Sequence, residues 1–221
     1  MHAGLRKTIG AVFMMTLIGA LLTGCLFQRD TEATLQSDQP TVPAKITLTP
    51  VELFQGDEAK YRPFLGNMTG AFTLRYDGSK PNVALDIDVW QDGKKASGAG
   101  SIGDLFFSKD QQVRSGEVEV ILSVDSVSGK EGQDDYDQVK VGVFHDSGSS
   151  LATFSVPHGK KLTGRGLMAG QEKRTFPVAD LPAPVWGIQA TSTNQMRTAD
   201  LSEESLSRLE WGLVFTLRLE E

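Results

Sequence analysis

Val83, Leu85, Ile87 and Val89 alternate with Ala84, Asp86 and Asp88. A two-residue period puts four apolar side chains on one face of an extended strand and two carboxylates on the other. Such a strand needs a sheet with one dry and one wet face. Asp92-Gly93 follows directly and suits a tight hairpin turn. The return strand is expected to be weak, because Gly98 and Gly100 interrupt it, and Leu105 to Ser108 reads as a further short strand.

The same pattern recurs along the chain. Ile46 and Leu48 alternate with Lys45 and Thr47, and Ala71 to Tyr76 alternates before Asp77-Gly78. Val118, Val120, Leu122 and Val124 form another apolar face. A hydrophilic loop, Ser126 to Asp137, leads to Val139, Val141 and Val143. His145 to Ser150 reads as a longer hairpin loop before Leu151 to Val156. Lys161 to Met168 and Val185 to Thr191 are further strand candidates, and Trp211, Leu213, Phe215, Leu217 and Leu219 make a closing strand. One short C-terminal helix is expected, with Asp200 and Glu203 as capping pair and Leu201, Leu206 and Leu209 on one face. The fold class is therefore all-β, an antiparallel β-sandwich or distorted barrel over residues 45–221.

The first residues obey a different logic. Arg6 and Lys7 precede an apolar run from Ile9 to Leu22, which is shorter than the about 20 apolar residues that span a bilayer. A basic start, a brief apolar middle and small residues at the end suit an export signal over residues 1–24. The run closes Leu22-Thr23-Gly24-Cys25, and this resembles the lipobox of bacterial lipoproteins. The resemblance covers the first 25 residues and implies cleavage before Cys25, a diacylglycerol on its thiol and a fatty acid such as palmitate on the new amino terminus. The expected location is extracytoplasmic, lipid-anchored to a cell membrane or outer membrane. Residues 25–44, polar and containing Pro40 and Pro43, read as a flexible tether. Cys25 is the only cysteine, so no internal disulfide can form.

Charge narrows the partners. Without residues 1–24, which hold Arg6 and Lys7 and no acid, 20 basic side chains face 28 acidic ones, a formal charge of -8. Nucleic acid, which is bound through cationic contacts, is a poor fit. An anionic lipid surface gains no broad attraction either.

Several motifs are candidates for chemistry. Gly98-Ala99-Gly100-Ser101-Ile102-Gly103 matches G-x-G-x-x-G, which binds dinucleotides only where a strand enters and a helix leaves. Ser101 in Ala99-x-Ser101-x-Gly103 approximates a nucleophile elbow; His145 and His158 lie downstream, but nothing in the sequence pairs them with Ser101. Glu131, Asp134, Asp135 and Asp137 form an acidic loop, a solvated turn or a Ca²⁺ site assembled from Asp134, Asp135 and Asp137. No other cofactor is expected. Trp90 falls on the wet face with Asp86 and Asp88 and would offer a ring and two carboxylates to a carbohydrate or peptide. The competing reading is a ring that covers a sheet edge or packs beneath a loop. His158, Lys160, Lys161 and Arg165 make a local basic patch or a solvated turn.

The leading expectation is a non-enzymatic binding or interaction protein at the cell envelope, with carbohydrate or protein as partner. A hydrolase with an unlocated site and a calcium-stabilised module are the alternatives.

Overall fold

A computed structural model describes residues 43–107, 115–129, 134–159, 161–170, 172–193 and 195–220. Among the described residues eleven strands form two antiparallel sheets, so the sandwich expected from the alternation is the architecture found. The strands are β1 (Lys45–Val51), β2 (Thr69–Asp77), β3 (Val83–Gln91), β4 (Lys94–Ile102), β5 (Ser115–Val127) and β6 (Tyr136–His145). They continue with β7 (Gly148–Pro157), β8 (Gly164–Leu167), β9 (Arg174–Pro177), β10 (Ala183–Thr191) and β11 (Trp211–Leu219). The first sheet runs β7-β6-β5-β2-β1-β9, the second β4-β3-β11-β10-β8.

The core lies between the sheets and is built from the apolar face of each alternation. Val83, Leu85 and Ile87 of β3 and Trp211, Leu213, Phe215 and Leu217 of β11 are fully buried. They meet Ile46, Leu48, Leu74, Val120, Leu122 and Val141 of the first sheet within one cluster. Each such side chain contributes about 1.5–3 kcal/mol by leaving water. β3 and β11 pair without a slip from Trp211↔Gln91 to Leu219↔Val83. A one-residue shift would turn the buried set outward, so the pattern itself holds the register.

Asp92 and Gly93 take φ of 49° and 76°, the left-handed pair of a tight hairpin. The return strand β4 is nine residues long, not weak. The glycine-rich stretch is accommodated by bulges, since Ile87 faces Gly100 while Asp88 faces Gly98. Gly100 also lets the Phe154 ring of β7 close over the edge of the second sheet. A Cβ there would lie 2.3 Å from Phe154 Cε1.

Four other expectations are corrected. Leu105 and Phe106 form a buried turn and no strand. The Leu105 amide donates to the Val83 carbonyl and Phe106 packs edge-on to Tyr76, plugging the end of the core. The β6–β7 connection is a two-residue turn, His145 pairing with Gly148. Further helical segments exist, a 3₁₀ turn at Gly56–Tyr61 running into α1 (Arg62–Leu65) and a 3₁₀ turn at Val178–Asp180. The C-terminal helix α2 (Glu203–Leu206) is capped by Ser202, whose Oγ accepts the Ser205 amide at 3.3 Å. Asp200 instead braces that cap by accepting the Ser202 amide and hydroxyl, which hold its carboxyl down to about 2.

Strand β9 lies at the edge of the first sheet. Its Arg174 reaches the Pro184 carbonyl of β10 at 2.8 Å, and burial pushes its pKa below the ordinary value. A charge held at a sheet edge discourages a further strand from adding there.

Gly100→Ala should lower unfolding stability by about 1–3 kcal/mol, the cost of overpacking against Phe154. Gly98→Ala, with nothing within 4 Å of its Cβ, should stay within about 0.5 kcal/mol of the parent in urea melts. Equal losses would mean that the glycines serve the bulge and not the ring.

Candidate functional site

The wet face of β3 carries the first candidate group, and it is tied together internally. Arg218 of β11 donates to Asp86 through Nε at 2.7 Å and Nη2 at 3.3 Å, and Ser101 of β4 donates to the same carboxylate at 2.6 Å. Burial pushes the Asp86 carboxyl up, but hydrogen bonds from Arg218 and Ser101, with the charges of Arg218 and Lys95, hold it below the ordinary range. Asp88 is 4% exposed; it accepts Thr216 Oγ1 at 3.0 Å and pairs with Lys95 at 2.8 Å. These bonds cross three strands and lock the second sheet on its outer side.

Trp90 is not the open platform that its place on the wet face suggested. It is half-buried and packs against Met168, Ala199, Leu201, Leu206, Leu209 and Val214, the cluster beneath α2. Its indole N–H is buried without an acceptor. The ring covers the sheet beneath a helix and loop. Ring burial offsets the unmade hydrogen bond, which costs about 1–3 kcal/mol. Trp186 and Trp211 belong to the core, where Trp186 meets Phe215 edge-on at 5.1 Å.

The acidic loop divides. Glu131 lies outside the described residues. Asp134 and Asp135 are exposed, and Asp135 accepts the Gly129 amide at 3.0 Å. Asp137 is no loop residue: it is the second position of β6, faces the core and is fully buried. The alternation of β6 explains this, because Asp137 shares the inward face of Val139, Val141 and Val143. Among the described residues, no group of three or more Asp, Glu, His or Cys is placed to hold a metal ion. Asp137 is thereby separated from Asp134 and Asp135 as a ligand set.

Around Asp137 the basic patch is turned inward. Arg165 of β8 lies 2.8 Å from Oδ1 and 2.9 Å from Oδ2 through Nη1. His158 Nε2 lies 3.0 Å from Oδ1, and Ser126 donates to Oδ1 at 2.9 Å. Arg165 Nη2 is also 2.9 Å from His158 Nε2. Nε2 donates to Asp137 only when protonated and accepts from Arg165 only when it is not, so the tautomer selects between the two bonds. Trp211 walls the group, with His158 edge-on at 5.3 Å and the Arg165 guanidinium carbon 5.8 Å from the ring centroid. Lys161 is exposed, and Lys160 lies outside the described residues.

This group couples the sheets, since Asp137 belongs to the first and Arg165 and Trp211 to the second. It does not form a nucleophile–base pair. Ser126 and His158 both bond the carboxylate, whereas a serine nucleophile must bond the imidazole. Ser101 bonds Asp86 and no histidine. The glycine motif lies in β4 and its end, and the Leu105–Phe106 turn comes next, so among the described residues no helix N-terminus follows it for a pyrophosphate.

Sequence reasoning missed the Asp137–Arg165–His158 group. The available signal was parity, because counting back by twos from Val143 reaches Asp137. A polar recess of about 330 Å³ beside α2 was also missed, lined by Gln189, Thr191, Arg197, Ser205, Arg208 and Glu210. Its groups bond one another, with Thr191 Oγ1 donating to Glu210 at 2.6 Å and Gln189 to the Arg197 carbonyl at 2.8 Å.

Burial pushes the Asp137 carboxyl up, but bonds and charge from His158 and Arg165 bring it below the ordinary range. Its folded form therefore binds a proton less readily than its unfolded form, and this contribution to stability is complete above the ordinary carboxylate range. It is lost as pH falls through that range toward the lowered native value. Asp137→Asn should destabilise the fold by about 3–5 kcal/mol, leaving Arg165 without its charge partner. It should also flatten that part of the stability–pH curve in denaturant melts. An unchanged curve would place the acid sensitivity elsewhere.

Among the described residues, no helix is long and apolar enough to cross a membrane. Comparison with protein-family models, with curated proteins and with solved structures gives no match.

Proposed function

We propose that this chain is an exported lipoprotein whose β-sandwich serves as a non-enzymatic interaction module at the cell envelope. The observation that carries the reading is Leu22-Thr23-Gly24-Cys25 at the end of a basic-then-apolar leader. A thiol is a good nucleophile once ionised, and Gly24 leaves the backbone open to a modifying enzyme. One acyl chain holds a protein to a bilayer only marginally, so a diacylglycerol with a further fatty acid suits a permanent anchor.

The use of the polar side chains supports the second half. Three of the acids that a catalyst could use are engaged in structural bonds: Asp86 with Arg218, Asp88 with Lys95, and Asp137 with Arg165. That use of charge favours a role played through the surface. The net negative charge turns that surface away from nucleic acid and anionic lipid and toward proteins or carbohydrates of the envelope.

Cells expressing the chain and fed an alkyne-bearing palmitate should label the wild type and not Cys25→Ala, and the variant should move from the membrane to the soluble fraction or retain its leader. Wild-type protein without label, or equal labelling of Cys25→Ala, would remove the anchor from this reading.

A further inference from the structure

The outer faces of the two sheets are treated differently. That of the second sheet is covered by α2 and by the Asp86 and Asp88 bonds. On the first sheet, one apolar row crosses five strands in a single register. Val51 pairs with Ala71, Ala71 with Ile121, Ile121 with Gly142, and Gly142 with Leu151. The four side chains point away from the core and Gly142 shares their face, since Leu48, Phe72, Val120, Val141 and Phe154 point inward on the same strands. The gap at Gly142 is filled by Phe144, whose ring lies 2.9 Å from where a Cβ would stand.

The segment Gly56–Leu65 covers part of this row. The Leu65 carbonyl accepts Ser123 Oγ at 2.9 Å and Thr69 Oγ1 at 2.6 Å, which fastens α1 above β2 and β5. Beyond it, toward β7, the row is open: Phe144 is 43% exposed and Leu151 is 71% exposed. The covering segment itself presents Phe64 at 80% exposure. Apolar residues scattered singly over a surface need no explanation. An aligned row on a sheet face, with an aromatic beside it, marks a contact surface.

The surroundings identify the occupant. On the outward side of β6 and β7 the neighbours are Gln138, Ser149, Thr153 and Ser155, and the one charge, Lys140, is paired with Asp125 at 2.9 Å. Depletion of charge around aromatic and aliphatic side chains is the composition of a protein-interface centre. On the β5 side stand Glu117 and Glu119, the latter directly opposite Phe144. Neither makes an ion pair among the described residues; Arg75, the cross-strand neighbour of Glu117, pairs with Asp77 at 3.3 Å. These carboxylates repel an anionic bilayer, and a two-fold axis passing beside them would bring like charges together. They favour a base.

We infer that the open part of this face, centred on Ile121, Phe144 and Leu151 and bounded by Glu117 and Glu119, docks an apolar segment of another protein that carries Lys or Arg at its flank. The inference rests on the reading of the sandwich as an interaction module, and is independent of the lipid. Loss of acylation at Cys25 would leave it standing, and its failure would leave the anchor intact.

The full chain, as purified and with phosphatidylcholine nanodiscs present, is screened against synthetic peptides of roughly ten residues, randomised over Leu, Phe and Ser with Lys or Glu at the flanks. Binders are expected to be enriched in Lys, and a selected peptide should bind at least about tenfold more tightly than its Glu-flanked isomer. Leu151→Ser should weaken it by about tenfold or more at an unchanged melting temperature, since Leu151 is largely exposed. Glu117→Gln with Glu119→Gln should abolish the preference for Lys. An absence of binders, or binders without Lys enrichment, would overturn the inference. So would self-association of the chain that Leu151→Ser abolishes, or quenching of a Leu151→Trp side chain by brominated acyl chains of the nanodisc. These would assign the face to a second copy or to lipid.

Discussion

A carboxylate with no access to water holds the two sheets together at one end of this sandwich. Asp137 enters the interior from β6, and Arg165 and the Trp211 ring meet it from the opposite sheet. Taking a carboxylate and a guanidinium out of water costs several kcal/mol each, and an apolar pair of equal volume is often as stable or more so. The group therefore adds little net stability over an apolar plug. It adds a condition on geometry: the carboxylate is satisfied only if β8 lies where Arg165 can reach it and the loop after β7 turns His158 inward. Two apolar sheet faces can slide over each other with modest loss, whereas a buried ion pair cannot be left half made.

The strands and the core were legible because their chemistry repeats. Four apolar residues at alternate positions of β3, and Trp211, Leu213, Phe215 and Leu217 of β11, admit one face and one register. Asp92-Gly93 requires left-handed backbone, which few other pairs adopt as readily. What stayed hidden broke the period or was too short to show one. β9 has four residues and places an arginine where the pattern asks for an apolar group. The segment at residues 56–65 buries none of its residues, so it presents no apolar stripe to read.

The site was less legible than the fold, for a related reason. Asp137 looked like part of a hydrophilic loop because polar residues precede it, and only its parity with Val139 gave it away. Trp90 was placed on its face correctly. What covers that face, the α2 region with Leu201, Leu206 and Leu209, arrives more than a hundred residues later, and a strand's own sequence says nothing of a distant lid. A period-two pattern separates the two faces of a sheet. Which faces remain wet is decided by the elements that fold back over them.

That distinction bears on how the surface is used. In an isolated sandwich both outer faces meet water, and apolar side chains there add only the modest stability of cross-strand contact. In the second sheet such residues exist, and α2 and its loop bury them. In the first sheet the equivalent cover, the segment at residues 56–65, stops above β2 and β5. The row from Ala71 to Leu151 is therefore half covered, although its strands pair without interruption. Ser149, Thr153 and Ser155 show that polar residues are fully compatible with the outer side of β7, so Leu151 is not forced by the strand. A leucine left 71% exposed in that setting gains little from burial within the chain, and most of its apolar surface stays open to a partner.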